Sequence, residues 1–472
     1  MNKVIIYNTF TRKKEVFKPL KDKEVGFYSC GPTVYWYATI GNLRTYVFND
    51  ILKRVLIYNG YKVKHVMNVT DVGHLTSDSD TGEDKIESAA KKEGKKAKDI
   101  AEFYLKAFQT DLKKLNIIEP TIWPKATEHI KEQIELIKKL EKKGYTYKTS
   151  DGIYFDTSEF KSYGRMAGLN PEKLEAGHRV SMREKKHATD FALWKFSENP
   201  SIRQQEWNPK DYGANWPVGF PGWHIECSAM SMKYLGEHFD IHTGGEDHIQ
   251  VHHTNEIAQS EAATGKKFVN YWMHGAFLTF KGGKVSKSKG GLYTISELEE
   301  KFRPLSFRYF CLTTHYRKPL EFSLEKLKSA QRSYINLLRR ISELKNNSRK
   351  SKEKIRTDLI EERKEHFTSL INDDLNIPSA LDFLWNVLKD KELGENEKYK
   401  LATDFDNILG LSLEKESIYD IKLTEEQKAM IEKREQARAK KDWKTADVIR
   451  EKLKKQGILI DDTPAGHVAW RE

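Results

Sequence analysis

Four side chains of the kinds that bind zinc well stand at separate places along this sequence. His252 and Glu256 are four residues apart in a segment predicted to be helical, so both side chains leave one face of that helix. Cys227 lies on the preceding predicted helix, and Cys30 ends a predicted sheet strand. Thiolate sulfur, imidazole nitrogen and carboxylate oxygen are all zinc ligands. Together, the four residues predict a zinc site formed by two cysteines, one histidine and one glutamate.

Each part of this site also has a simpler explanation. A His-x-x-x-Glu pair on a helix is usually a surface contact that contributes about 0.3 kcal/mol. A cysteine among alanine and methionine residues, as Cys227 is, is usually a core residue. His253 is an alternative ligand, although the spacing to Glu256 favours His252. Three scattered cysteines do not form a disulfide framework, and we expect Cys311 to be buried.

Two glycine-containing segments predict a nucleotide site. Residues 32–42 join a predicted strand to a predicted helix, where Gly41 leaves room for a nucleotide and the helix N-terminus attracts phosphate. In the second segment, Gly244 and Gly245 follow a strand and let a ribose approach the backbone, while Asp247 can accept a hydrogen bond from a hydroxyl. The alternative for the second segment is an ordinary glycine turn beside a solvated acid.

A third segment, residues 282–291, places Lys284 and Lys287 between glycines. Such a loop can close over a triphosphate and stabilise the negative charge that develops on it. The alternative is a lysine-rich surface loop with no ligand.

The elements that must position these side chains follow an α/β pattern. Residues 24–75 predict strand, helix, strand, and residues 223–275 predict helix, strand, helix, strand. The part between them predicts charged amphipathic helices and a hairpin with Asp151 and Gly152 at its turn. The fold class is therefore α/β, with a doubly wound parallel (Rossmann-like) sheet, an inserted α/β domain and a C-terminal helical bundle that ends near a short strand.

Composition limits the class of protein. The 472 residues carry a formal net charge of +12, with 38% hydrophobic and 32% charged residues, so we expect a soluble protein without a membrane span. The first residues predict a strand and not a signal peptide, so a cytoplasmic location is the expectation. We expect a monomer because the sequence shows no clear pairing surface. The positive charge favours a nucleic acid partner, although a generally lysine-rich surface would give the same surplus.

Seven segments in the same order resemble the cysteinyl-tRNA synthetase family of class I. They are CGPTVY, TIGN, DFALWK, PGWHIECSAM, HHTNE, KVSKS and KDWKTADVIREKL. The resemblance implies an enzyme that activates L-cysteine with ATP and Mg²⁺ and transfers it to tRNA(Cys). It also implies one Zn²⁺ per chain, which selects the substrate thiol.

The family's functional residues are carried over by matching position. The resemblance implies zinc ligation by Cys30, Cys227, His252 and Glu256; ATP binding by Thr39, Gly41, Asn42, Gly244, Gly245, Asp247, Lys284 and Lys287; substrate binding by Thr70, Trp223 and His242; catalysis by Lys284 and Lys287; and tRNA binding by Arg438, Trp443 and Asp447. Thr39 and Asn42 replace the two histidines of the usual HIGH motif, and Val285 replaces a methionine of KMSKS. Threonine is shorter than histidine and uncharged.

The resemblance also implies domain boundaries. They are a catalytic domain in two halves (1–115 and 216–290), an inserted connective domain (116–215), a stem-contact region (291–325), a helical bundle (326–412) and a C-terminal anticodon-binding domain (413–472).

Two other functions and one other structural role stay open from the sequence. A cysteine ligase of the same catalytic fold can acylate a small amine, although the long basic C-terminal region argues against it. A zinc-dependent RNA-binding protein without catalysis is the other alternative, which the change at Thr39 favours and the lysines of KVSKS disfavour. Trp443 either stacks on an unpaired base or lies in the core of a helix pair.

Overall fold

The computed structural model describes residues 3–73, 84–168, 184–280, 293–349, 355–416, 423–463 and 466–471. The chain forms two compact units. The first consists of Met1–Glu300, Thr314–Phe322 and Thr368–Ile377, and the second of Lys301–Thr313, Ser323–Phe367 and Pro378–Glu472.

The first unit alternates strands and helices around one parallel sheet. Its elements are β1 (Ile5–Asn8), β2 (Lys13–Val16), β3 (Glu24–Ser29), α1 (Ile40–Tyr58), β4 (Lys62–Met67), α2 (Lys85–Glu93), α3 (Ala97–Lys114), α4 (Ile130–Lys142), β5 (Thr146–Lys148), β6 (Gly152–Phe155), β7 (Phe191–Phe196), β8 (Gly219–Pro221), α5 (Trp223–Leu235), β9 (Phe239–Gly245), α6 (His252–Thr264), β10 (Val269–Gly275), β11 (Leu278–Phe280), α7 (Ile295–Glu299) and β12 (Leu320–Phe322).

The parallel sheet has the strand order β10-β9-β3-β4. The chain winds from β3 through α1 to β4 in one direction, and from β9 through α6 to β10 in the other. Strands β3 and β9 are neighbours at the point of reversal, where Ser29 pairs with Thr243. A crevice opens at this point beyond the carboxyl ends of the strands, and ligands of doubly wound folds bind there. The predicted doubly wound sheet is confirmed.

Apolar and aromatic side chains form the core of the sheet, and their packing holds the ends of its strands in place. Tyr28, Phe239 and Phe268 are at most 1% exposed and pack in one cluster with Trp272. The rings of Phe239 and Phe268 meet edge to face, with centroids 5.1 Å apart. Because aromatic packing of this kind holds one face of the sheet, the loops that follow β3 and β9 start from rigid positions.

A smaller antiparallel sheet, in the order β5-β6-β7-β8, lies in the inserted part of the chain. The predicted hairpin is present, but its turn differs by one residue. Thr149 N donates to Gly152 O, so Ser150 and Asp151 occupy the middle of the turn and Gly152 opens β6. Glycine is needed at position 152 because a Cβ there would stand 2.6 Å from the carbonyl oxygen of Trp194 on β7.

The second unit is helical and ends in a two-stranded sheet. Its elements are α8 (Pro304–Leu312), α9 (Leu324–Ser348), α10 (Thr357–Asn372), α11 (Ile377–Lys389), α12 (Glu395–Leu409), α13 (Glu425–Ala439), α14 (Trp443–Lys455), β13 (Ile458–Thr463) and β14 (Gly466–Arg471). The last residues of α10 and the first of α11 belong to the first unit.

Helix α9 shows why this unit packs as a bundle. Its buried residues recur every three or four positions, from Leu327 through Tyr334 to Leu344, so one stripe faces the core. In the C-terminal part, α13, α14 and β13 enclose a separate cluster that includes Ile431, Leu453 and Ile458. No helix in the described ranges is both long and apolar enough to cross a bilayer. The six predicted domain ranges stay predictions.

Candidate active site

The four predicted zinc ligands meet in the crevice between β3 and β9. The sulfur atoms of Cys30 and Cys227, a ring nitrogen of His252 and a carboxylate oxygen of Glu256 all lie within 4.8 Å of one another. Each side chain is buried, with at most 7% exposure. Cys30 follows β3, Cys227 lies on α5, and the other two stand one turn apart at the start of α6. The fold thus brings together donors from three distant parts of the chain.

A second set of buried donors has the same spacing. It consists of Cys30, His242, His253 and Glu256. In this set, His253 Nε2 lies 3.2 Å from Cys30 Sγ, and its Nδ1 lies 2.8 Å from His274 Nε2. His253 therefore stays open as a ligand on geometry alone. The set that includes Cys227 contains two sulfurs instead of one, which suits a zinc ion better.

The two cysteines carry their protons differently. A hydrogen bond from the Cys30 thiol lowers the pKa of Cys227 to about 6, against the opposing effect of burial, and His252 also lowers it. Burial raises the pKa of Cys30 well above its usual value, and the bond to Cys227 adds to this. At neutral pH one sulfur is therefore a thiolate and the other a thiol.

Glu256 and His252 form a charged pair inside the protein. Burial alone would raise the pKa of Glu256, but His242 and His252 lower it to about 2. Burial alone would lower the pKa of His252, but Glu256 and Cys227 raise it to about 10. His242 Nε2 lies 2.9 Å from one carboxylate oxygen and His252 Nε2 lies 3.0 Å from the other. Without a bound metal ion, His252 is therefore protonated at neutral pH and carries a positive charge beside the Glu256 carboxylate.

His224 is a site residue that sequence analysis missed. It is 2% exposed, and its Nδ1 lies 2.9 Å from Nδ1 of His252, so one ring donates to the other. This contact fixes the ring of His252 with Nε2 toward Glu256, as an outer hydrogen bond does for a metal-binding histidine. The available signal was spacing: His224 precedes Cys227 by three residues and so shares its face of α5.

Three of the four candidate zinc ligands lie on the wall of a cavity of about 470 Å³. Cys30, Cys227 and His252 line it directly. The other predicted residues on its wall are Thr39, Asn42, Thr70, Trp223, Gly244, Gly245 and Asp247. A cavity of this size can enclose a small-molecule substrate, and a few polar groups on its wall can orient that substrate.

The N-terminus of α1 borders this cavity. Thr39 caps the helix: its Oγ1 accepts from the backbone N–H of Asn42 at 3.4 Å, and Asn42 Oδ1 accepts from the backbone N–H of Thr39 at 3.1 Å. The two residues therefore form a reciprocal cap in place of two histidines. The positive end of the helix dipole remains available to a phosphate next to Gly41.

Gly244 and Gly245 leave space for neighbouring side chains as well as for a ligand. A Cβ at Gly244 would stand 2.5 Å from Nδ1 of His248 and 2.8 Å from Cε1 of His253. A Cβ at Gly245 would stand 2.3 Å from Oδ1 of Asp247, whose carboxylate folds back over the turn. Close approach of the two histidines is thus one reason for glycine at position 244, and close approach of the Asp247 carboxylate is one for glycine at position 245.

The three predicted substrate-binding residues occupy different depths. Thr70 is 2% exposed, and its hydroxyl oxygen accepts from Asn68 Nδ2 at 3.1 Å. The ring of Trp223 packs on His252, with centroids 4.4 Å apart. His242 lies behind the cavity wall, fully buried and held to Glu256. Lys284 and Lys287 lie outside the described residues.

The predicted tRNA-binding residues lie together in the second unit. Trp443 is 55% exposed, which excludes a place in the core of the helix pair. The Arg438 guanidinium, near the end of α13, stands 5.5 Å from the centroid of the Trp443 ring. Asp447 is exposed on α14, the helix that begins at Trp443. Asp462, which sequence analysis missed, accepts from Arg438 at 2.9 Å and from the buried Arg434.

Comparison with known proteins places this site in a family. Residues 16–332 match the family model described as the catalytic domain of class I (C) tRNA synthetases, and residues 420–471 match the cysteinyl-tRNA ligase anticodon-binding domain. A cysteine–tRNA ligase 1 of Burkholderia lata is 48% identical over 98% of this chain and 95% of its own. A cysteine–tRNA ligase of Treponema denticola is 44% identical over 99% of each chain.

Solved structures of lower identity share the fold. Methionyl-tRNA synthetase of Mycobacterium tuberculosis in complex with methionyl-adenylate is 15% identical, with a TM-score of 0.58 over 82% of this chain and 90% of its own. The LeuRS–tRNA–LeuAMS complex of Agrobacterium radiobacter K84 is 11% identical, with a TM-score of 0.60 over 84% and 85%. From the full-length matches and the two family models, the chain belongs to the cysteine–tRNA ligase family of class I tRNA synthetases.

Proposed function

We propose that this protein is an active cysteine–tRNA ligase that uses ATP to activate L-cysteine and transfers the product to tRNA(Cys), with zinc selecting the thiol. The observation that carries this proposal is the donor set of two sulfurs, one imidazole and one carboxylate within 4.8 Å, three of whose residues lie on the wall of the 470 Å³ cavity. The monomeric state and the cytoplasmic location predicted from the sequence accompany the proposal.

The donor chemistry suits a zinc ion. Cys30, Cys227, His252 and Glu256 would hold it, while His224 and His242 would orient two of these ligands. When bound, zinc supplies a soft Lewis acid that attracts a thiolate and lowers the pKa of a thiol. The protein contributes a buried position and a fixed orientation for the ligands.

The first reaction step uses the opposite part of the cavity. The substrate carboxylate oxygen attacks the α-phosphorus of ATP, a new O–P bond forms, and pyrophosphate leaves with the electrons of the broken P–O bond. The α1 N-terminus, with Thr39, Gly41 and Asn42, would bind phosphate through backbone N–H groups. Lys284 and Lys287 would balance the charge that develops on the leaving group, together with Mg²⁺.

The ribose side of ATP and the amino acid need separate contacts. Gly244 and Gly245 would lie against the ribose, and Asp247 would accept from one of its hydroxyls. Thr70 and Trp223 would enclose the amino acid from the side of the zinc ligands. His242 would contribute to amino-acid binding indirectly, by holding Glu256 in position. These assignments rest on the positions of the residues on or behind one cavity wall.

The second step requires tRNA. A terminal ribose hydroxyl, the 2′-OH in a class I enzyme, attacks the adenylate carbonyl carbon, and AMP leaves. In the second unit, Trp443 offers an exposed ring for a base to stack on, with Arg438 and Asp447 as hydrogen-bonding groups for base edges. The matched anticodon-binding domain argues against a ligase that acylates only a small amine.

Isotope exchange between pyrophosphate and ATP tests the activation step. We expect exchange that depends on cysteine, and aminoacylation of tRNA(Cys) when tRNA is added. Exchange without aminoacylation would indicate a ligase for another acceptor, and absence of both would indicate an RNA-binding protein. Serine in place of cysteine is the matched control, because it differs from the substrate by one atom.

Zinc uptake should become tighter as pH rises. At neutral pH the metal-free site holds protons on Cys30, whose pKa is raised, and on His252, whose pKa is about 10, while Cys227, with a pKa of about 6, has mostly lost its proton. Metal ligands must be deprotonated, so we expect release of about two protons per zinc bound near pH 7.

Competition with a chelator measures this effect. The logarithm of the zinc association constant should rise by about two for each pH unit between pH 6.5 and 8. Calorimetry in buffers of different ionisation enthalpy gives the proton count independently. A pH-independent association constant would show that the metal binds at groups other than these.

A further inference from the structure

A group of exposed aromatic side chains borders the cavity. We name it the rim patch: Trp36, Tyr37 and Phe103, which are exposed, and Tyr104, which lies buried beneath them. The first three are 45%, 36% and 49% exposed, although each is large and apolar. Their rings touch in series: Trp36 and Tyr37 have centroids 5.9 Å apart, and Tyr37 and Phe103 6.2 Å apart. Apolar side chains exposed in one contiguous surface commonly mark a binding site.

The rim patch is continuous with the reaction cavity. Trp36, Tyr37 and Tyr104 line the cavity together with Cys30 and Thr39. Tyr104 is the buried support of the patch: it is 4% exposed, its ring meets that of Tyr37 edge to face at 5.1 Å, and its hydroxyl donates to Glu93. A ligand that covers the exposed rings can therefore extend into the cavity without leaving the surface.

Positive charge lies next to the rings. The end of α2, the start of α3 and the residues between them carry five exposed lysines (Lys91, Lys92, Lys95, Lys96 and Lys98). The acids of the same stretch are the exposed Glu93 and Asp99 and the half-buried Glu102. The ammonium of Lys95 stands 5.5 Å from the centroid of the Phe103 ring. Aromatic rings beside lysines are the combination that binds unpaired nucleotides, with the rings stacking on bases and the lysines facing phosphates.

We propose that the rim patch stacks the unpaired nucleotides at the 3′ end of tRNA and directs the terminal ribose into the cavity. This inference rests on the proposed function, since only aminoacyl transfer requires an RNA end at this cavity. The patch contacts RNA outside the reacting atoms, so Trp36 and Phe103 act as positioning residues for the second step. The first step, which uses ATP and cysteine inside the cavity, does not need them.

Binding of two RNA probes to the Trp36→Ala and Phe103→Ala variants tests this proposal. One probe is tRNA(Cys), and the other is the same tRNA trimmed of its unpaired 3′ nucleotides. The unmodified protein should bind the complete tRNA more tightly than the trimmed one. Each variant should bind complete tRNA about 5- to 100-fold more weakly, the loss expected for one base–aromatic stack, and trimmed tRNA unchanged.

Three controls separate this role from loss of folding or of activation. Trp36→Phe retains a ring and should restore most of the affinity for complete tRNA. Leu20→Ala removes an apolar side chain of similar exposure, 46%, from another part of the same unit. It should leave the affinity for both RNA probes unchanged. Cysteine-dependent pyrophosphate exchange should be unchanged in Phe103→Ala, because Phe103 is not among the residues that line the cavity.

Two results would overturn the proposal. Equal loss of affinity for complete and trimmed tRNA would place the contact elsewhere on the RNA. A raised KM for ATP in the exchange assay, with tRNA affinity unchanged, would assign the rings to ATP. Failure of the proposed function is distinguishable, because the unmodified protein would then lack either cysteine-dependent exchange or aminoacylation of tRNA(Cys).

Discussion

A Cys227→Ser variant is expected to lose its zinc and most of its preference for cysteine over serine. Zinc content should fall from one per chain to a small fraction, because the variant loses one of the two sulfur donors of the proposed, buried zinc site. The sulfur removed is also the one with a pKa of about 6, which is ready to bind metal at neutral pH. A hydroxyl does not ionise in this range and binds zinc poorly.

The selectivity loss follows from the small difference between the two amino acids. Serine is nearly isosteric with cysteine, and a pocket without a specific polar or metal contact separates such isosteres by only about 100-fold. A metal that binds sulfur and not hydroxyl oxygen adds a chemical distinction to the steric one. The ratio of kcat/KM for cysteine and serine in pyrophosphate exchange should therefore fall to about 100 or less in the variant.

Cys311→Ser is the matched control. Cys311 is the third free cysteine, 7% exposed on α8 in the second unit, so its replacement removes a buried thiol without touching the donor set. Zinc content and amino-acid preference should stay those of the unmodified protein. Treatment of the unmodified protein with a chelator should reproduce the selectivity of Cys227→Ser, which separates metal loss from a local packing defect. A Cys227→Ser protein with full zinc content or unchanged cysteine preference would contradict the assignment.

The sequence was sufficient to predict contacts that depend on one element. The four-residue spacing of His252 and Glu256 determines a shared helix face, and the structure places their side chains 3.0 Å apart. The α/β alternation predicts parallel strands, and the carboxyl ends of parallel strands share one edge. Cys30 after β3 and Gly244 at the end of β9 therefore lie at the same crevice.

Contacts that depend on how two helices pack were not predictable in this way. The His224–His252 pair joins α5 to α6 and exists because the two helices cross at these positions. The approach of His253 to Cys30, which produces the second possible donor set, depends equally on tertiary packing. Spacing favoured His252 over His253 but did not exclude His253, since a helical turn brings both histidines within reach of Glu256.

The geometry of the hairpin turn was the remaining feature that the sequence did not predict correctly. Asp-Gly is a strong hairpin signal, yet Ser150 and Asp151 form the turn, because Gly152 is required where β6 passes the Trp194 carbonyl. The local propensity of Gly152 was outweighed by a long-range contact. The rim patch has the same origin, since Phe103 reaches Tyr37 only through the packing of α3 beside the loop after β3.

The second large effect is expected for Lys287→Ala, whose site lies in the sequence KVSKS outside the described residues. Removal of one preorganised positive group from a charge-stabilising site slows the chemical step by about 100- to 1,000-fold. We expect a fall of this size in the rate of cysteine-dependent pyrophosphate exchange. The KM for cysteine should change by less than about threefold, because the thiol and carboxylate are held by other residues.

The control for Lys287→Ala is Lys289→Ala, since both residues lie in the same glycine-flanked segment and carry the same charge. If net positive charge of the loop were enough, the two variants would slow exchange equally. If Lys287 contacts the departing pyrophosphate, only its replacement has the large effect, while zinc content stays at one per chain in both. An exchange rate within about threefold of the unmodified protein would remove Lys287 from the catalytic residues, and a loss of zinc in that variant would show that the substitution acts through the fold instead of through ATP.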